Sequence, residues 1–374
     1  AQAQSEMDAI KLSQNDLTGT ARSVAMGGAF GALGGDISGI AINPAGIGVY
    51  KSSEIVTTLN FQNVNTETEL NRGKIDDKKF KFNFDNFAFV TSLPLYNDDV
   101  PTFNVGFSYN RLKNFDRQYK MSGDNVQSLS EYMAYRTNNL NPRVTDPDYY
   151  LKMYDDYNPF YDSGYDWMSI FGYNGELIKE NTPGLYESKI AGQTNADLFV
   201  KEKGSISSYD FNFGTTISDI VSIGATLSVT DINYHRYTNY EETYPAFIGE
   251  GFRFDNELKT EGSGFQATVG VIVKPIQELR FGVSYHSPTW YNMTDYYGAS
   301  MDLNLVQAVG NADADKFFDS GYDHYYDYKL RTPDKWTFSL AGVIGQTAII
   351  SADYEYTNYK NNMKLFDRDN NSLS

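Results

Sequence analysis

Val221-Ser222-Ile223-Gly224-Ala225-Thr226-Leu227-Ser228-Val229-Thr230 alternates an apolar residue with a small or polar one throughout. Successive side chains of a strand point to opposite faces, so this stretch makes one apolar face and one polar face. The rule recurs along the chain. Phe103, Val105, Phe107 and Tyr109 alternate with Asn104, Gly106, Ser108 and Asn110, and Tyr209, Phe211 and Phe213 alternate with Asp210, Asn212 and Gly214. Phe265, Ala267, Val269, Val271 and Val273 follow it, as do Leu279, Phe281, Val283 and Tyr285. Trp336, Phe338 and Leu340 open one further strand, and Ile350, Ala352, Tyr354 and Tyr356 another. Ile55 to Asn65 and Phe80 to Leu93 complete about nine, and a parity shift between Phe84 and Phe87 predicts a bulge.

The connections alternate in length. Short turns are expected at Pro94–Pro101, Ser218–Val221, Lys274–Glu278 and Gly345–Thr347, and long polar loops at Thr66–Lys79, Lys120–Lys203, Asn239–Thr260 and Tyr297–Arg331. Short turns on one side and long loops on the other are the layout of an outer-membrane barrel. The expected fold is therefore all-β, a transmembrane antiparallel β-barrel. Composition agrees: 15% of residues are aromatic, with 30 Tyr and 24 Phe, and barrels gather such residues in girdles at the membrane interfaces. No run of about 18 apolar residues exists to form a spanning helix. A net charge of −17 excludes a nucleic-acid footprint, and the absence of Cys excludes disulfides and thiolate chemistry. Ala1-Gln2-Ala3-Gln4 reads as a mature end after signal cleavage, and with the barrel layout the expected location is a bacterial outer membrane. A closed barrel with both ends in the periplasm needs an even number of strands, so about nine predict a chain incomplete at its C-terminus.

Residues 23–50 differ. They carry one charge, Asp36, and eight glycines, among them Gly27 and Gly28, which suits a compact plug in a confined space. Domains are expected at 1–50 (hatch) and 51–374 (barrel). Gly27-Gly28-Ala29-Phe30-Gly31 lacks the preceding strand and following Lys-Ser/Thr of a phosphate loop.

Gly19-Thr20-Ala21-Arg22-Ser23-Val24-Ala25-Met26-Gly27-Gly28-Ala29-Phe30, then Asp36, then Asn43-Pro44-Ala45-Gly46, resembles the hatch of the FadL/TodX family of outer-membrane transport proteins. Gly282-Val283-Ser284-Tyr285-His286-Ser287-Pro288 is similar to a strand ending of that family. The resemblance implies a fourteen-stranded barrel, passive uptake of long-chain fatty acids or aromatic hydrocarbons, and a hatch that moves to release them sideways. It implies that Asn43, Pro44 and Ala45 are the hatch motif. On the residues alone, Asn43 can latch the hatch to the wall through its amide, or the three can form a structural turn.

Asp162-Ser163-Gly164-Tyr165-Asp166 and Asp319-Ser320-Gly321-Tyr322-Asp323 share a pattern, each after an aromatic pair. Phe160, Tyr161, Tyr165, Phe317, Phe318 and Tyr322 are the candidates for ligand capture at the external loops. Asp146, Asp148, Asp155, Asp156, Asp162 and Asp166 suggest either Ca²⁺ ligands or a solvated acidic loop. Asp210, Arg280, His286, Asp353 and Glu355 fall on the inward parity and are expected to line the lumen and pair with the plug. His235, His286 and His324 lie far apart, and no metal or cofactor is expected. No catalytic residue is expected, since Gly-x-Ser-x-Gly is absent. The expected partners are a hydrophobic small molecule and outer-membrane lipid, with the protein a monomer. The alternatives are a barrel serving secretion or assembly, a haem receptor, a general porin or a barrel-embedded enzyme.

Overall fold

Nine antiparallel crossings follow one another in chain order across a single sheet that curls around residues 6–50. The computed structural model describes residues 6–154, 156–161, 165–190, 192–305, 315–321, 324–345 and 347–373. The crossings are β1 (Glu54–Leu70), β2 (Gly73–Pro94), β3 (Thr102–Asn114, continued by Arg117–Val126), β4 (Thr194–Ile217) and β5 (Val221–Thr243). Then come β6 (Gly251–Ile276), β7 (Leu279–His286, continued by Trp290–Asn304), β8 (His324–Arg331, continued by Lys335–Ile344) and β9 (Ala348–Thr357). The sheet counts fourteen strand segments, because several crossings are broken and short pieces at Asp315–Asp319 and Lys364–Asp367 join it. The expected bulge is present: Thr58 faces Asn86 and Leu59 faces Phe84, leaving Asp85 as the extra residue.

The wall is inverted relative to a soluble sheet. On β5, Leu227 is 45% exposed while its neighbours Thr226 and Ser228 are 4% and 6% exposed. Phe211 on β4 is 48% exposed between Asp210 at 4% and Asn212 at 1%. The outward apolar run from Tyr209 to Ile217 is about 27 Å along the strand. After tilting, that is comparable with the ~25 Å apolar band of an outer-membrane barrel. Tyr109 and Tyr209 pack at 5.5 Å at the upper edge of this band, and Tyr285 and Trp336 at 4.8 Å. The fold is thus an antiparallel wall of the transmembrane kind, and among the described residues no helix is long and apolar enough to cross a bilayer.

Two of the expected loops are strand instead. β1 and β2 pair from Glu54 to Leu70, so Thr66–Lys79 is a ladder closed by Asn71-Arg72. β5 and β6 pair as far as Thr243 with Gly251, so Asn239–Thr260 is strand at both ends. The other two begin or end as strand. Above the bilayer the outer face of a hairpin meets water and turns polar, so the alternation that lipid imposes fades while the backbone ladder continues. Period-2 reading stops where the lipid stops.

Lys120–Lys203 holds a folded cap between its strand ends. Helices α4 (Leu129–Asn138), α5 (Pro147–Tyr150) and α6 (Trp167–Asn174) and a small hairpin enclose a core. Met133, Leu151, Ile170, Phe171, Leu177 and Ile178 are fully buried there, against Phe252, Met301 and Leu303 of the strand tips.

Leu227→Arg places a charge near the middle of the lipid-facing band and should cost about 2–4 kcal/mol of stability in a bilayer. Urea titration of the reconstituted barrel measures it; an unchanged midpoint would mean that this face does not meet lipid.

Candidate functional site

Residues 6–50 lie against the inner face of the wall. Helices α1 (Glu6–Ser13), α2 (Ala21–Ala25) and α3 (Ile37–Ile40) are followed by a 3₁₀ turn, Pro44–Val49. The family-like residues form one knot. The Asp36 carboxylate accepts from the Thr20 hydroxyl at 2.9 Å and from Arg22 Nε at 3.1 Å, and it caps α3 by accepting from Ser38 N at 2.9 Å. Thr20 in turn caps α2. Gly27 and Gly28 take left-handed φ of +66° and +77°, and Gly28 N–H closes α2 onto Ser23 O at 2.9 Å.

Asn43 does both things its amide allows. Oδ1 caps the 3₁₀ turn by accepting from Ala45 N at 3.1 Å, and Pro44 occupies the first position of that turn, where no N–H is needed. Nδ2 donates to Gly31 O at 2.7 Å and to Val271 O of β6 at 3.2 Å, joining the 3₁₀ turn both to the Gly31 segment and to the wall. Ala45 is fully buried.

The wall receives this turn on glycine. Gly214, Gly224 and Gly270 face one another directly across β4, β5 and β6, and Gly106 on β3 and Gly282 on β7 lie two residues off that row. A Cβ on Gly224 would overlap Pro44 O, one on Gly270 would overlap the Asn43 amide, and one on Gly214 would stand 2.6 Å from Ile47. The belt went unnoticed in the sequence. Its signal was available: glycine at the inward parity of successive alternating strands.

Around the belt, wall side chains serve hatch carbonyls. Asn104 Nδ2 donates to Ile47 O at 2.7 Å and to Tyr50 O at 2.9 Å, Thr216 to Gly48 O at 2.7 Å, and Ser284 to Ile42 O at 2.7 Å. Of the inward residues singled out from sequence, four meet the hatch or the polar wall beside it. Arg280 Nη1 donates to Leu33 O, and Asp353 accepts from Gly31 N at 3.0 Å. His286 Nε2 lies 3.0 Å from Ile42 O; a carbonyl only accepts, so Nε2 carries the proton and Nδ1 accepts from the Thr268 hydroxyl at 3.2 Å. Asp210 sits higher, in a buried polar layer with Asn110 at 2.7 Å and Ser208 at 3.1 Å. Glu355 instead pairs with Lys335 at 3.1 Å, at the junction of two cavities of about 340 and 440 Å³.

Above the polar layer the inner face turns apolar. Ile206, Ile232, Leu258, Tyr291, Met293 and Leu330 form a buried cluster into which α1 inserts Ala9 and Leu12. Lys11 beside them meets the Glu202 carboxylate, which also holds Arg117 at 2.5 Å. Burial lowers the Lys11 pKa, against the opposing pull of Glu202. This cluster was not foreseen, because its residues stand at the parity that the sequence reading assigned to a polar lumen.

At the external end the two loop regions meet, and of the aromatic residues named there Tyr161 makes the contact. Tyr161 stacks on His324 at 4.5 Å, and Trp167 and Tyr297 pack on the same imidazole at 4.8 and 5.7 Å. Phe160 is 4% exposed and belongs to the core of the cap, which removes it from any capture surface. Tyr165 packs on Tyr150, Phe318 packs against the cap core, and Phe317 is exposed. Tyr322 lies outside the described residues, as do Asp155 and Asp162. Asp146 caps α5, Asp148 accepts from Tyr173 and Asp166 pairs with Arg136 at 2.6 Å, so these carboxylates have separate tasks. His235 lies 2.5 Å from Glu257.

A lipid-facing antiparallel wall around an inner plug defines the class of protein: a plugged membrane barrel. The chain matches no protein-family model and no curated protein. Among solved structures it is similar to the TodX deltaS2S3 mutant monoaromatic hydrocarbon channel, at 12% sequence identity and a TM-score of 0.49, covering 94% of this chain and 74% of that one.

Gly270→Val should displace the 3₁₀ turn while leaving the wall folded. With no native Cys, a single Cys at Ala45 reports on it: buried and unreactive to maleimide in the parent, labelled readily in the variant. Equal, slow labelling in both would show that the belt does not seat the hatch.

Proposed function

We propose that the protein is a passive conduit for small hydrophobic molecules, fatty acids or aromatic hydrocarbons, through a bacterial outer membrane. Residues 1–50 act as the mobile hatch and residues 51–374 as the wall. The observation that carries this reading is the order of layers inside the wall: an apolar cluster, packed by α1, below the external cap, and beneath it a hatch tied to the wall by side-chain to main-chain hydrogen bonds. An apolar solute gains about 0.8 kcal/mol for each buried CH₂. A chain of about ten carbons therefore gains about 8 kcal/mol, the same order as several wall-to-hatch hydrogen bonds at about 1 kcal/mol each. Such contacts are exchangeable with other polar partners, whereas an interdigitated apolar seat would have to be broken outright. In this reading Tyr161, Phe317, Phe318 and Tyr165 surround the point of capture, and Asn43, Pro44 and Ala45 form the latch.

Asn43→Ala combined with Pro44→Ala removes the cap of the 3₁₀ turn and the bond to Val271, and should change uptake of radiolabelled laurate several-fold with barrel folding intact. Unaltered uptake in cells carrying that double variant, at equal outer-membrane abundance, would rule out the latch.

A further inference from the structure

A further cavity, of about 380 Å³, lies on the opposite side of the hatch from the Met293 cluster, between the 3₁₀ turn and the short-turn ends of β3 to β7. Its apolar lining comes from Val49, Pro101, Ile220 and Ile272. Its charges are Lys51, Lys274 and Arg280 against one carboxylate, Asp219. That is an excess of cations in a chain whose net charge is −17. Lys51 and Asp219 stand 3.6 Å apart and are both well exposed, so that pair is weak. Lys274 has no ion-pair partner among the described residues, and Arg280 uses Nη1 on Leu33 O while its buried Nε meets no acceptor. The cavity on the near side of the hatch carries the opposite balance, with Asp16, Asp85, Asp353 and Glu355 against Lys335.

We propose that the cavity beneath the hatch is a binding site for an amphiphile with an oxyanion head and an apolar tail, the head held by Lys274 and Arg280 and the tail along Ile220 and Ile272. The acidic lumen above repels such a head and the cationic cavity below retains it, so the site lies where a released ligand would leave. The head is a carboxylate of a fatty acid or the phosphate of a phospholipid at the short-turn face. Two cations with spare donors suit either one, since charge-assisted hydrogen bonds to oxyanions are about twice as strong as neutral ones.

The assignment rests on the conduit reading above, and its test separates the two. The full chain in nanodiscs is exposed to laurate carrying a tail diazirine, or to the matching dodecanol, irradiated and mapped by peptide mass spectrometry. Laurate should label residues 49–51 or 219–222, with dodecanol labelling there weaker by about tenfold. Lys274→Glu should abolish that difference without affecting labelling of the residues around Met293. Laurate labelling confined to the residues around Met293, or equal labelling beneath the hatch by both probes, would overturn the site while leaving the conduit standing. No labelling of the lumen by either probe would overturn both. Suppression of the lower label in phosphatidylglycerol nanodiscs, but not in phosphatidylcholine ones, would identify the anionic lipid as occupant; equal labelling in both would identify the fatty anion.

Discussion

The hydrogen bonds from inward-facing wall side chains to main-chain carbonyls of the hatch set the terms for the rest of the structure. A wall that faces lipid must turn its polar residues inward, and polar groups removed from water need partners. Asn104, Thr216, Ser284, His286 and Arg280 find theirs on Ile47, Tyr50, Gly48, Ile42 and Leu33. The hatch gains the same thing from the exchange, because its 3₁₀ turn and short helices leave many carbonyls without partners of their own. Glycine makes the exchange possible. Only where Gly214, Gly224 and Gly270 leave out a side chain can the Asn43–Val49 backbone approach the sheet closely enough.

The layers follow from that constraint. The middle of the inner wall is polar, with Asp210 satisfied by Asn110 and Ser208. Higher up, beyond the lipid band, Ile206, Ile232 and Met293 face inward around the helix that opens the chain. Higher still, the strand tips lend Phe252, Met301 and Leu303 to the core of the cap. Within the bilayer the inner apolar residues, Ala88, Val90 and Ala341, serve the hatch, and the larger inner apolar clusters lie above it.

Sequence alternation made the wall legible, down to the number of crossings and the bulge at Asp85, because lipid on one side and a polar interior on the other impose a period of two. It failed where that contrast ends. Thr66–Lys79 and Asn239–Thr260 read as loops because their outer faces meet water, and in the second the buried inner residues mix Tyr244, Phe252 and Leu258 with Glu242 and Thr260. The cap read as a polar loop because its core is drawn from short helices rich in Tyr and Asn. The hatch residues were legible as a motif, and turn and wall contact were both open to Asn43; that it makes both at once, and that Thr20, Arg22 and Asp36 form one knot, depends on distances no spacing encodes. Phe160 shows the reverse error, since an aromatic residue in an acidic loop reads as exposed until the loop is found to have a core.

Hydrogen exchange on the reconstituted protein, with and without laurate, tests the central claim that the hatch is held by exchangeable bonds within a fixed wall. Amides between residues 19 and 50 should be protected without ligand and should exchange many-fold faster with it, while β4, β5 and β6 stay unchanged. A hatch that remains as protected as those strands under saturating laurate would contradict the account and make residues 19–50 a permanent part of the wall.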